Sequence, residues 1–475
     1  MGPEPREMSP EPVVTSRADR VAVTARWVLT GHRSGTPELV PHGTVVVRDG
    51  RIEDVTTAEV ADARRIRLPG NSLLLPGFVD VHSHSLNGPL FRGMTEDRSR
   101  AGTQSTLVYD VLMPVGDLAA TTMTDDEARA VYTASLLRIL AGGTTTTVDV
   151  FRPRHRAFLD AARDVGIRAY GAPYLATRTV AGVDAHGTPV TRESDGPAQL
   201  EHAVQLFREY DEGPGGRIRV MLGPHCTDTC SPAYLAKVLA TARDLGTNMT
   251  IHVAQSRPEL AYLRRHHDCT PVEFLARHGI CGPDVVAAHC AFATPDDLAV
   301  LASTGTPVAC CPATFVHSGR HVSYRTFVDA GVTTGIGTDG HSLTYLEELR
   351  VAGTVAKLAA GGPSGVTSAD LLRTGTEGSA AVLGRSDLGR IERGARADLV
   401  GLTLNDPGLE PVLDPLSTAV WHSAGTGVDL VVVDGAVLVE QGRHTRIDAA
   451  AVRRSANAVV ERIWETFARA SPPPT

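Results

Sequence analysis

The sequence predicts an α/β fold: a (β/α)8 TIM barrel with a small β-sandwich domain built from both chain ends. Two observations carry this. Eight strand-like runs end near His84, Val150, Leu175, His225, Gln255, Cys290, Pro312 and Asp339. They alternate with helix-like stretches, among them Ala128–Leu140, His155–Val165, Ala198–Tyr210, Pro232–Leu245 and Leu346–Ala359, as a chain of β/α units requires. Residues able to bind metal also cluster at the ends of these runs: His82, His84, His225, His252, His289 and Asp339. In this kind of barrel the chemistry sits at the C-terminal strand ends.

The β-rich parts lie on either side of the barrel pattern. Val21-Ala22-Val23-Thr24 and Gly43–Arg48, with a turn at Asp49-Gly50, find a counterpart in Ala397–Leu402 and Asp429–Val433, with a turn at Asp434-Gly435. Alternating apolar residues and Asp-Gly turns predict antiparallel strands. The expected division is a disordered lead over 1–19, sandwich strands over 20–70, the barrel over 71–389, the returning sandwich strands over 390–446, and a closing helix and tail over 447–475. Asp448 is placed to cap that helix, and Val452, Ala456, Val459, Ile463 and Phe467 form its apolar stripe.

Composition bounds the function. The chain has 475 residues, enough for a large core, and is 42% hydrophobic. A formal charge of -8 gives no electrostatic case for nucleic acid. No apolar run approaches the roughly 20 residues of a membrane span. The Pro- and Glu-rich segment Met1–Asp19 lacks the apolar stretch of a signal peptide, so the expected location is cytoplasmic. Seven irregularly spaced cysteines do not form a disulfide framework. Only Lys237 and Lys357 are lysines; the other positive charges are arginines.

Side chains two apart on a strand leave the same face, which lets His82 and His84 grip one ion together. His252 and Asp339 complete a set of three histidines and one carboxylate suited to zinc or ferrous iron, with room for a water. His317, His321 and His341 follow the last two strands, and His341, two residues after Asp339, is the best placed to line a pocket.

These motifs resemble the amidohydrolase superfamily, in particular the branch of cytosine and S-adenosylhomocysteine deaminases and chlorotriazine hydrolases. Leu75–His84 looks like its first metal motif, Phe91-Arg92-Gly93-Met94 its following loop, and Gly143-Thr144-Thr145-Thr146 its second-strand signature. Gly223-Pro224-His225 with Thr229-Cys230-Ser231-Pro232 resembles the segment supplying a substrate-contacting histidine. Ala288-His289-Cys290, Gly337-Thr338-Asp339-Gly340 and Gly394–Val400 match later motifs, so the resemblance spans about residues 20–445. It implies that Asp339, His289 and Gln255 act in catalysis, and that Arg92, His225, Asp228, Gln255 and His341 contact substrate. Three positions depart from the branch: Gln255 stands for Glu, Cys310-Cys311-Pro312 for His-Asn-Pro, and Asp228 for Tyr.

The resemblance implies a hydrolase that activates water on one divalent metal, zinc or iron, and cleaves a C–N bond of an amide, amidine or amino-heterocycle. No lysine ends the fourth strand to bridge a second metal. Gln255 has no titratable proton, which tilts the expectation from aromatic deamination toward carbons that are already electrophilic. Asp228 is the alternative proton source. The expected partner is a small-molecule or modified-peptide substrate, in a monomer or homodimer. A second reading is a peptide-tailoring amidohydrolase of a biosynthetic pathway, such as bottromycin-type follower-peptide removal. A third is a non-catalytic scaffold, disfavoured because every ligand is present.

Overall fold

The computed structural model describes residues 20–33, 36–94, 111–151, 154–183, 189–340, 343–423 and 427–470. The expected lead over 1–19, His341 and the final prolines lie outside them.

Eight parallel strand segments alternate with helices. They are β1 (Phe78–Ser83), β2 (Thr144–Phe151), β3 (Arg168–Leu175), β4 (Ile218–Val220, continued by Gly223–Pro224), β5 (Met249–Val253), β6 (Val285–His289), β7 (Val308–Cys310) and β8 (Thr334–Ile336). They pair as two arcs, β1 to β4 and β5 to β8. Isolated parallel bridges link the arcs: Leu222 to Met249 and Cys226 to His252 on one side, Ser83 to Asp339 on the other. This is a TIM-barrel-type α/β arrangement.

Two buried clusters reflect the two faces of these strands. Val79, Val81, Val148, Val150, Ala172, Val286, Ala288 and Ala309 form one. Phe78, Ala169, Ile251, Val253, Val285, Ala287, Val308 and Cys310 join the other, with the helices. Strict alternation thus gives His252 the parity of the inner cluster and gives His82 and His289 the opposite one.

Arg178–Val183 pairs with Pro189–Glu193 as a separate hairpin after β3, and among the described residues two further sheets are built from both chain ends. One holds Arg51–Thr56, Thr44–Arg48, Val21–Thr24 and Arg64–Arg67; the other runs from Arg443–His444 through Leu399–Thr403 and Ser72–Pro76 to Thr36–Pro41. Val23, Val45, Ile52, Leu74, Leu399, Leu430 and Val432 share one core between them. A helix over Ala449–Ala470 follows. Its Ala456, Val459 and Ile463 are buried, and Trp464 Nε1 donates to the Leu90 carbonyl at 2.6 Å. The tail therefore packs against the segment that follows His84.

A buried ion network joins barrel and sheets. Arg168, at the start of β3 and 0% exposed, donates to both oxygens of Asp398 at 3.0 and 3.2 Å and to Asp434 at 3.4 Å. Removing the cation would leave Asp398 buried and unpaired, which costs about 3–5 kcal/mol. Arg168→Met is expected to lower the unfolding free energy by that order in denaturant titration, and adding Asp398→Asn to restore part of it.

A second buried charge bears on the strand ends. Glu348 accepts from the Ala313 N–H at 2.9 Å, holding the helix after β7 to the helix over Tyr345–Ala359. Burial pushes its carboxyl up to about 8. The native state therefore binds the proton more tightly than the unfolded chain. Its contribution is full below the ordinary carboxylate range and is lost as pH rises through about 8. Glu348→Gln keeps an acceptor and removes the titration. Melting of metal-free protein between pH 6 and 8.5 should show a shallower loss of stability in the variant than in the parent, about pH-neutral at this site.

Candidate metal centre

Four histidines and one aspartate converge at the C-terminal ends of the strands. Ligand atoms of His82, His252 and His289 lie within 4.8 Å of one another, as do those of His82, His84 and Asp339. The rings pack tightly: His82 lies 4.9 Å from His84, 4.9 Å from His252 and 4.8 Å from His289, centroid to centroid.

Backbone irregularity puts them there. Between β1 and β2 the register shifts, with Asp80 opposite Thr147 and Ser83 opposite Asp149. Three steps on β1 thus oppose two on β2, a bulge of the kind that re-aims a side chain. His289 and Asp339 adopt left-handed backbone, with φ of 74° and 53°, as do Ala254 and Cys290 at 48° each. Such conformations cost energy in residues with a side chain and concentrate at functional sites. Gly337 is needed for close approach: a Cβ there would stand 2.7 Å from the His82 carbonyl oxygen.

Two histidines have their tautomers fixed. His84 Nδ1 is 2.6 Å from the Val150 carbonyl oxygen and His252 Nδ1 is 2.6 Å from that of His225. A carbonyl only accepts, so each Nδ1 carries a proton, and in the neutral ring Nε2 then presents a bare lone pair inward. Those two Nε2 atoms are 3.3 Å apart, and His84 Nε2 is 3.4 Å from Asp339 Oδ1. Two neutral imidazoles cannot hydrogen-bond through two lone pairs. Tetrahedral zinc with bonds of about 2.0–2.1 Å separates its ligand atoms by roughly 3.3–3.4 Å.

Protonation also fits a cation. Burial and neighbouring histidines hold His82 and His252 well below the ordinary range, and burial holds His289 down to about 4. All three are neutral at pH 7, the form that ligates metal. Both ring nitrogens of His82 and Nδ1 of His289 are buried without a hydrogen-bond partner among the described residues. The donor set fits a divalent metal.

Buried carboxylates brace the site. Asp80 accepts from the Thr338 N–H at 3.1 Å and hydroxyl at 2.6 Å and from the His82 N–H at 3.3 Å, tying β1 to the residue before Asp339. Asp149 accepts from the Ser85 N–H at 2.6 Å and the Ser83 hydroxyl at 3.0 Å. Sequence reading missed both. An acid inside the apolar run Phe78-Val79-Asp80-Val81 was the available signal.

The remaining expected residues fall differently. His225 is buried, packs edge-on against Tyr174 and shares a 3.0 Å hydrogen bond with Thr229 Oγ1. Gln255 is partly exposed and its Nε2 donates to Cys226 Sγ at 3.4 Å. Asp228 is 2% exposed, and neither carboxylate oxygen has a partner among the described residues. Burial raises its pKa and that of the nearby Glu259, the latter to about 7. Arg92 ends the short helix Asn87–Phe91 and is exposed, with Arg138 and Glu347 as its charged neighbours. It is not brought into the histidine cluster. Phe315, which the sequence did not single out as a site residue, lies 5.4 Å from the His289 ring.

The amidohydrolase family model matches residues 73–438. The 5-methylthioadenosine/S-adenosylhomocysteine deaminase of Natronomonas pharaonis is 30% identical over 436 residues, covering 90% of this chain and 96% of that protein. The 5'-deoxyadenosine deaminase of Methanopyrus kandleri is 29% identical, covering 92% and 99%. Zinc-complexed atrazine chlorohydrolase TrzN from Arthrobacter aurescens TC1 superposes with a TM-score of 0.82 at 25% identity, covering 93% of this chain and 100% of that one. A zinc-bound adenosine deaminase from Xanthomonas campestris shares the fold, with a TM-score of 0.82 at 23% identity over 94% and 98%. Matched over most of its length, the chain belongs to the amidohydrolase family and is a metal-dependent hydrolase acting on carbon–nitrogen bonds.

Proposed function

We propose that the chain holds one zinc ion on His82, His84, His252 and Asp339 and hydrolyses a C–N bond in a small, nitrogen-rich molecule. The observation that carries this is the 3.3 Å approach of two inward ring nitrogens, Nε2 of His84 and Nε2 of His252. The reading takes the two arcs of strands as one closed (β/α)8 barrel with a β-sandwich beside it. The deaminase relatives support C–N hydrolysis. Gln255 and Asp228, where the resemblance implies Glu and Tyr, set the substrate of this chain apart in this reading.

Bound there, the metal supplies Lewis acidity and brings the pKa of water down to about 7. Asp339 offers one oxygen to the ligand set and a second that can take the proton of the attacking water and return it to the leaving nitrogen. His289, neutral and with Nδ1 unpartnered among the described residues, orients the attacking water. His225 and Gln255, just past the ends of β4 and β5, hold the substrate. Gln255 cannot act as a general acid, and such help is worth about 10²- to 10⁴-fold in rate. An amide, amidine or imide carbon loses less by its absence than an aromatic ring that must first be protonated.

The test is a turnover screen of metal-loaded protein against heterocyclic amines, amides and amidines. It is expected to find hydrolysis in the amide and amidine group, and robust deamination of adenine-type bases, which present a bare ring nitrogen, with the others inert would contradict the Gln255 argument. Elemental analysis should give one equivalent of zinc, and His252→Ala should lose most of it. Two equivalents, or full retention in that variant, would count against the ligand set. Asp339→Asn should lower kcat by at least about 10²-fold even with metal supplied, since proton transfer passes through that carboxylate. Unchanged turnover would remove Asp339 from the mechanism.

A further inference from the structure

Gln255 is held in one orientation. Its N–H donates to Glu259 Oε2 at 2.8 Å and the neighbouring Ala254 N–H donates to Oε1 at 3.0 Å. The Thr227 hydroxyl donates to the same carboxylate at 2.5 Å, locking the ends of β4 and β5 together. Ala254 takes a left-handed φ of 48°, fixing the turn from which Gln255 projects. The side-chain Nε2 then donates to Cys226 Sγ at 3.4 Å. Cys226 is fully buried and bridges to His252 across the adjoining strand ends.

A thiol both donates and accepts weakly, so the direction of this contact depends on where its one proton goes. The Asp228 carboxyl is buried near Cys226, and neither of its oxygens has a hydrogen-bond partner among the described residues. A carboxyl keeps an accepting oxygen whether ionised or protonated. Turned toward that unsatisfied carboxyl, the thiol proton leaves the sulfur lone pairs to face Gln255, the direction in which Nε2 donates to Sγ. The amide therefore commits an N–H to sulfur and turns Oε1 away from it. Gln255 is the partly exposed member of this otherwise buried group, and Oε1 has no partner among the described residues.

We propose that Gln255, oriented by Cys226, is a hydrogen-bond acceptor for the substrate, so that the site takes molecules carrying an N–H beside the carbon to be attacked. The class is cyclic amidines, guanidine-type rings and lactams. A ring that presents a bare nitrogen there would set lone pair against lone pair and leave both desolvated. The inference rests on the hydrolytic reading above and narrows its substrate class. Cys226 and Asp228 are positioning residues in it: they act through Gln255.

The test compares matched pairs on the zinc-loaded full chain, by calorimetric Kd and by kcat/KM. A guanine-type base is set against its ring-N-methyl analogue and against adenosine, and a cyclic amidine against its N-methyl analogue. The N–H members are expected to bind about ten- to a hundred-fold more tightly, the range for leaving a buried acceptor unsatisfied. Cys226→Ala frees the amide to flip and should collapse that ratio, whereas Cys226→Ser keeps an orienting hydroxyl and should preserve it. Gln255→Leu should abolish the preference even if Cys226→Ala does not fold. The assignment is overturned if the parent binds adenosine or the N-methyl compounds as tightly as the N–H members, or binds none of them. It is also overturned if Cys226→Ala keeps the full ratio with parental melting and zinc content. An N–H preference in Kd without turnover of any compound supports the acceptor assignment and contradicts the hydrolytic reading.

Discussion

Two imidazole Nε2 atoms stand 3.3 Å apart in a buried site, and the rest of the molecule is arranged so that they stay there. Each is fixed by a backbone carbonyl at a neighbouring strand end, Val150 for His84 and His225 for His252. Without a cation the arrangement is repulsive. With one, the same distance is what tetrahedral coordination requires. Hydrogen bonds to backbone atoms make the ring orientation a property of the strand ladder, so the ligand set is preorganised by the fold rather than assembled by the metal.

Holding that set carries a cost in backbone conformation. Four non-glycine residues at the strand ends, Ala254, His289, Cys290 and Asp339, have φ between 48° and 74°. They persist because the surroundings over-determine them. Asp80 ties β1 to Thr338, Asp149 holds Ser83 and Ser85, and Glu259 holds Ala254 and Gln255. Each is a buried carboxyl that accepts several donors, which offsets only part of the desolvation that pushes Asp80 and Glu259 up to about 7 and Asp149 up to about 6. At the other end of the strands, Arg168 with Asp398 and Asp434 joins the barrel to the sheets.

Much of the fold was legible because its signals are local and periodic. Helices such as His155–Val165 and Pro232–Leu245 run over the residues expected. Proline at the first position with a Ser231 cap, or an αL glycine at Gly166, marks such ends in sequence. His252 was legible as well, since alternation alone gives it the inner face. His82 and His289 were legible only as metal-binding residue types at strand ends. A bulge and a left-handed φ turn them inward against their parity, and neither is encoded by a two-residue period. Contacts across strands were the least legible part. The Gln255–Cys226 hydrogen bond joins residues 29 apart in sequence, and the buried carboxylates under the site read as isolated acids until the strands are brought together.

The central claim is that one metal is held by three imidazoles and one carboxylate. X-ray absorption at the zinc edge of the loaded protein tests it most directly. The account predicts a first shell of nitrogen and oxygen at about 2.0–2.1 Å with imidazole scattering beyond it. A sulfur shell at about 2.3 Å, from Cys226 or Cys311, or a metal–metal vector near 3.5–4 Å, would contradict it.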